Sequence, residues 1–276
     1  MTDFDEARRA LSAAAERTAQ LVEAIDDMEL RVPNSEWTIG ETTAHLIFAL
    51  RGFSASASSA FDEWLAVADQ LPTTVPAPAR VAAVNRLFIP AEPTRTPAEA
   101  AKAIKEGAEA FVLAAAGLPP EQAMPTPWYG ETETLTIGQA TCLLLGEQII
   151  HGYDMAQAAK RTWPIAQSDA LLMFEAVKAM MPKLANRETL GTTRATFEIH
   201  LGGKESFVVR CADGAIHVEP PTGQRVDCHL VTDPAAFLLV GYGRITHWRA
   251  IARGKMFVWG RRPWLAFRFP SFLHHP

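Results

Sequence analysis

A chain of 276 residues with 48% hydrophobic side chains is long enough for one large or two ordinary domains and can fill a sizeable core. Its formal charge of -5, without a Lys/Arg run that could track phosphates, argues against a nucleic-acid partner. Acids stand where a secretory leader needs a basic start, and no apolar run reaches the ~20 residues of a membrane span. Cys142, Cys211 and Cys228 are odd in number and lack CxxC spacing, which argues against both a disulfide framework and a cysteine zinc site and fits a reducing cytoplasm best.

Up to about Asn186 the pattern is helical. A first run rich in Ala, Glu and Leu extends from roughly Asp5 to Leu30. In WTIGETTAHLIFAL, Thr38 with Glu41 three residues on forms a capping-box pattern, so the helix that follows carries His45 in its second turn. LPTTVPAPAR, with Pro72, Pro76 and Pro78, reads as a loop, followed by a short apolar turn from Val81 to Leu87. Thr96, Pro97 and Glu99 open a third helix that Gly117, Pro119 and Pro120 stop.

Thr136 and Gln139 cap a fourth long helix, LTIGQATCLLLGEQIIHGYDMAQAAK. TIGETTAHL and TIGQATCLL echo one another, either as a pseudo-repeat or through shared capping chemistry. SDALLMFEAVKAMMPKLA is one further helix. The period then changes from helical to alternating in RATFEIHLG, SFVVRC and VDCHLV, with Gly202-Gly203 and Asp213-Gly214 as turn pairs. DPAAFLLVGYGR and THWRAIARG read as short helices, KMFVWG as a strand. A helical domain followed by a small α+β domain is expected, with the boundary near residues 187 to 193.

On the fourth helix, Glu147, His151 and Asp154 fall on one stripe at ~100° per residue, among Leu143, Leu144, Ile150 and Met155. An apolar setting makes an unpaired carboxylate costly and calls for a cation. Residues four apart on a helix can present two ligands to one ion, and a catalytic zinc site takes three. His45 is the one other histidine of the helical half, on a face where Ala49 and Gly52 leave room. His200, His217 and His229 lie on the polar sides of strands, His247 near a helix start, and His274 and His275 in the tail; they rank lower as ligands. The residues alone leave two readings open, a metal site on His45, Glu147 and His151 or a buried polar network.

The pairing of W-T-I-G-E-x-x-A-H-L with G-E-x-x-x-H-G-Y-D-M-A resembles the mycothiol-dependent maleylpyruvate isomerase family of the DinB-like metalloenzyme superfamily. The resemblance implies a four-helix bundle over residues 1–187, with a divalent metal, Zn2+ above others, on His45, Glu147 and His151. Asp154 would orient a ligand from behind. DPAAFLLVGYGR and GKMFVWGRRPWLAFRF are similar to the sterol-carrier-protein-like α+β domain that the family often appends, here residues 188–276.

The resemblance further implies an enzyme in which a low-molecular-weight thiol, the mycothiol of actinobacteria, reacts as thiolate with a small electrophile, by isomerisation or S-transfer. An arginine of the C-terminal domain is implicated in the isomerase, and Arg244, Arg249 and Arg253 are candidates. The rival reading is a carrier of an apolar ligand with a structural metal in the bundle. Its cavity would draw on Trp248, Phe257, Trp259, Trp264, Phe267 and Phe269, which otherwise belong to the core. A third reading puts WLAFRFPSFL against a membrane surface.

Overall fold

The computed structural model describes residues 4–33, 35–60, 75–93, 95–203 and 205–274. The chain forms two compact units, Met1–Ile165 and Ala166–Pro276.

In the first unit, four long helices make a bundle: α1 (Phe4–Glu23), α2 (Ile39–Ala57), α4 (Pro97–Ala114) and α5 (Ile137–Ala158). α1 and α2 each pack against both α4 and α5. The three capping patterns close as read: Thr38, Thr96 and Thr136 accept from the backbone N–H of Glu41, Glu99 and Gln139, whose side chains accept in return from the caps. α5 buries residues on all sides, including Leu144, Leu145, Ile149, Ile150 and Met155, as a helix at the centre of a core must. Gly107 lets α4 approach α2, because a Cβ there would meet Leu50 at 3.0 Å.

Three local expectations change. α1 stops at Glu23 rather than near Leu30; beyond it, Asp27 Oδ1 accepts from the Glu29 N–H in a turn that leads back to α2. The stretch read as a loop and short turn holds a twelve-residue helix, α3 (Ala77–Phe88), which packs on α2 through Phe88 stacked on Phe48 at 4.3 Å. Pro76 is its N-cap and Pro78 lies in its first turn, where a missing N–H costs nothing, so the prolines start a helix instead of preventing one. Pro72 lies outside the described residues. A two-stranded ribbon, β1 (Ala123–Pro125) with β2 (Thr134–Thr136), precedes α5 and was not expected.

The second unit is α+β. Its sheet runs β5 (Ala215–Glu219), β4 (Glu205–Ala212), β3 (Ala195–Leu201), β6 (Cys228–Thr232), β7 (Met256–Trp259), antiparallel except for the parallel β3–β6 pair. The unit begins at Ala166, not near 187, so helix α6 (Gln167–Met180) belongs to it. Phe174 of α6 lies 6.0 Å from Phe207 and 5.5 Å from Phe237, which holds that helix on the sheet's inner face. The short helices are α7 (Arg187–Leu190), α8 (Pro234–Gly241) and α9 (His247–Ala252).

Along β3 burial alternates as read, with Phe197 and Ile199 inward and Thr196, Glu198 and His200 outward. The aromatic tail divides. Trp248, Phe257, Trp259 and Trp264 are exposed rather than core, whereas Leu265, Phe269 and Phe272 are buried, Phe269 packing on Phe197 at 4.9 Å. WLAFRFPSFL therefore spends most of its apolar side chains on the core and keeps few for a membrane surface. No helix among the described residues is long and apolar enough to cross a membrane.

Candidate functional site

The stripe on α5 meets α2 inside the bundle. Glu147 Oε2 lies 3.1 Å from His45 Nε2 and 3.2 Å from His151 Nε2, and the donor atoms of all three residues fall within 4.8 Å of one another. The imidazole rings of His45 and His151 are 5.0 Å apart and nearly perpendicular. Thr43 Oγ1, two residues before His45, donates to the Ile39 carbonyl at 2.8 Å and lies 3.5 Å from the Met155 sulfur, a contact between the two helices.

Each imidazole has its second nitrogen engaged. His151 Nδ1 faces Asp154 Oδ2 at 3.6 Å, and His45 Nδ1 pairs with Asn85 Oδ1 at 3.1 Å. Asp154 is buried, with 3% of its side chain exposed, while Glu147 keeps 26%. The stripe, set among apolar residues, thus reaches solvent at Glu147. Trp37, in the turn before α2, lies 5.0 Å from the His45 ring and 6.1 Å from that of His151.

Burial pushes the Glu147 carboxyl upward, but the hydrogen bonds to His151 and His45 and their positive charge outweigh it and hold the group well below the ordinary carboxylate range. Burial likewise pushes His151 down, while Asp154 and Glu147 together raise it to about 9. Without a cation the cluster thus holds a proton on His151, which any metal ion bound there must displace.

The donor set suits such an ion. Bonds of ~2.1 Å at tetrahedral angles put neighbouring ligand atoms roughly 3.4 Å apart, close to the 3.1 and 3.2 Å separations found. Two imidazoles and a carboxylate are ligands of zinc type that leave a fourth position open. Asp154 and Asn85 stand where groups that orient metal-ligating histidines are found. The four residues singled out in the sequence, His45, Glu147, His151 and Asp154, are therefore brought together. Asn85 and Trp37 were missed as site residues. Asn85 was hidden in the stretch read as a turn; Trp37 stood in the quoted W-T-I-G-E pattern without a role.

Arg244, Arg249 and Arg253 belong to the second unit, just before α9, on it and at its C-cap respectively. Arg244 Nη1 donates to the Tyr242 carbonyl at 2.5 Å. His200 and His229, ranked low as ligands, come together with Glu198 on the sheet.

A helical bundle that brings a His/Glu/His cluster together, followed in the chain by a small α+β unit, defines the class of protein, and the comparisons give its family. The sequence model of the mycothiol maleylpyruvate isomerase N-terminal domain matches residues 11–156, more than half the chain, and the chain belongs to that family. The crystal structure of the mycothiol-dependent maleylpyruvate isomerase superposes with a TM-score of 0.53 at 10% identity, covering 93% of each chain. A mutant of that enzyme gives the same values. At this identity the likeness speaks for the fold. A stereoselective inverting sec-alkylsulfatase from Pseudomonas sp. reaches a TM-score of 0.32 at 11% identity, covering 87% of this chain and 33% of its own, too distant to bear on the site. No curated protein matches the sequence.

Proposed function

We propose that the chain is a mycothiol-dependent isomerase-type enzyme whose bundle holds a divalent metal ion, of zinc type, on His45, Glu147 and His151. The observation that carries this reading is the convergence of the three donors, with Asp154 and Asn85 behind the two imidazoles. Family membership supplies the thiol. When bound, the metal supplies a Lewis-acid centre that keeps a thiol sulfur in its thiolate form near neutral pH.

The chain's own residues prepare that centre. Asp154 and Asn85 fix the ring planes of His151 and His45, so the Nε2 atoms point at Glu147. The exposed part of Glu147 marks the side from which a thiol and a small electrophile enter, and Trp37 covers the imidazoles. The thiolate adds to an activated carbon–carbon double bond, the resulting single bond rotates, and elimination of the thiolate restores the double bond in the other configuration. If addition is followed by protonation instead, the product is an S-conjugate. Free, buried cysteines fit the reducing cytoplasm in which such a thiol works.

The carrier reading fares worse. A pocket for an apolar ligand encloses roughly 300–1,000 Å3, whereas the apolar pocket of the second unit, between Val177, Met180, Leu230, Phe237 and Phe269, has a volume of about 80 Å3. Trp248, Phe257, Trp259 and Trp264 do not line it.

Turnover tests the proposal, with mycothiol as thiol and maleylpyruvate as the first electrophile. Isomerisation should require the thiol, stop after chelation and return with zinc. A rate that survives complete removal of metal would sink the metal-dependent mechanism.

A further inference from the structure

The outer face of the sheet carries a second convergence of ligand atoms. Glu198 and His200 are two apart on β3 and so share a face, and the parallel register of β3 with β6 sets His229 opposite Glu198. Glu198 Oε2 lies 3.1 Å from His229 Nδ1 and 3.7 Å from His200 Nε2, and the three ligand atoms fall within 4.8 Å of one another. These separations bracket the roughly 3.4 Å edge of a tetrahedral site with bonds of ~2.1 Å.

We propose that Glu198, His200 and His229 form a second binding site for a divalent transition-metal ion, independent of the bundle site. Two imidazoles aimed at one carboxylate oxygen exceed what a simple ion pair needs, since one histidine would serve. Imidazole and carboxylate ligands suit Zn2+, Cu2+ and Ni2+. The ring planes are aligned with Trp259, opposite His229 on β7: its ring is within 7° of parallel to His229 at 5.2 Å and within 10° of parallel to His200 at 6.2 Å, and the two imidazoles are 6.1 Å apart. Side-chain exposures of 20% for Glu198, 31% for His200 and 27% for His229 leave the remaining coordination positions open to water or an exchangeable ligand.

Zinc stoichiometry on full-length protein tests the proposal. Wild type, Glu147→Ala, His229→Ala and the double variant are stripped with chelator, dialysed against zinc and measured by mass spectrometry, with circular dichroism to verify folding. Glu147→Ala should keep one equivalent and the double variant none. A folded Glu147→Ala protein without zinc overturns the second site, as does a His229→Ala protein that binds as much as wild type. If wild type and Glu147→Ala both bind one equivalent and His229→Ala binds none, the sheet site stands and the bundle site falls.

A second readout uses Cu2+, a quencher of nearby indole fluorescence, in the Glu147→Ala background. Quenching should fall when Trp259 is replaced by Phe, and Glu198→Gln should raise the copper concentration needed by more than about tenfold, since even the loss of an orienting group costs that much. Unchanged quenching in both variants would contradict the geometry.

Discussion

Two clusters among the described residues have the same donors, a glutamate oxygen between two imidazole nitrogens, built by different means. In the bundle, both histidines have a polar partner behind the ring, and the cluster is held between α2 and α5. On the sheet, no described residue stands behind His200 or His229 in this way; ring planes are set by stacking on Trp259. Orienting hydrogen bonds raise ligand basicity and fix the tautomer, whereas stacking fixes only the plane. On the reading proposed above, the bundle cluster is thus the one prepared for tight binding and chemistry, and the sheet cluster the more exchangeable.

The largest effect should come from the central carboxylates. Glu147→Ala removes a proposed direct ligand from the bundle cluster, so its zinc affinity should fall by more than about 100-fold and thiol-dependent turnover should vanish. Glu198→Gln should leave turnover unchanged. Asp154→Asn separates the clusters further: zinc affinity of the bundle site should drop about 10–100-fold, read by competition with a chelating dye. An unchanged affinity would mean that the partner behind His151 contributes nothing.

The next effect is the pH dependence of zinc binding. Because His151 in the metal-free protein keeps its proton up to about pH 9, zinc affinity of the bundle site should rise about tenfold per pH unit as pH approaches 9, with one proton released per ion. Calorimetry in buffers of different ionisation enthalpy counts that proton. Stability of the metal-free protein follows from the same shifts. The raised His151 contributes stability fully below its ordinary 6.5 and loses it as pH rises through about 9. The depressed Glu147 contributes above its ordinary 4.5 and loses it as pH falls below that value.

The smallest effect on binding should come from Gly152→Ala. A Cβ there would meet the Trp163 ring at 2.3 Å, and Trp163 Nε1 donates to the Ile149 carbonyl at 3.0 Å. Overpacking of this kind costs about 1–3 kcal/mol, visible in denaturant unfolding. Zinc stoichiometry at both clusters should stay the same.

The two clusters also differ in how far they can be read from sequence. Glu147, His151 and Asp154 are legible because helical spacing alone puts them on one stripe, and the capping boxes at Thr38 and Thr136 fix where their helices start. Glu198 and His229 are not, because alternation reports which face a residue takes but not which strand lies beside it, and a parallel pairing has no hairpin to set its register. Asn85 escaped for a different reason. Prolines that break a helix interior are harmless at its start, and the difference depends on where the helix begins. The exposed Trp248 and Trp264 show the limit of composition: nothing local distinguishes them from the buried Phe269 and Phe272.

The central claim, a thiol-activating metal on His45, Glu147 and His151, is tested most directly by cobalt substitution. In a His229→Ala background, which leaves the bundle site as the remaining candidate, the Co2+-loaded protein is titrated with mycothiol and followed by absorption. A sulfur-to-cobalt charge-transfer band that grows with the thiol, and is absent when Glu147 is also replaced by Ala, is the predicted result. A spectrum of bound cobalt that mycothiol leaves unchanged would contradict the account.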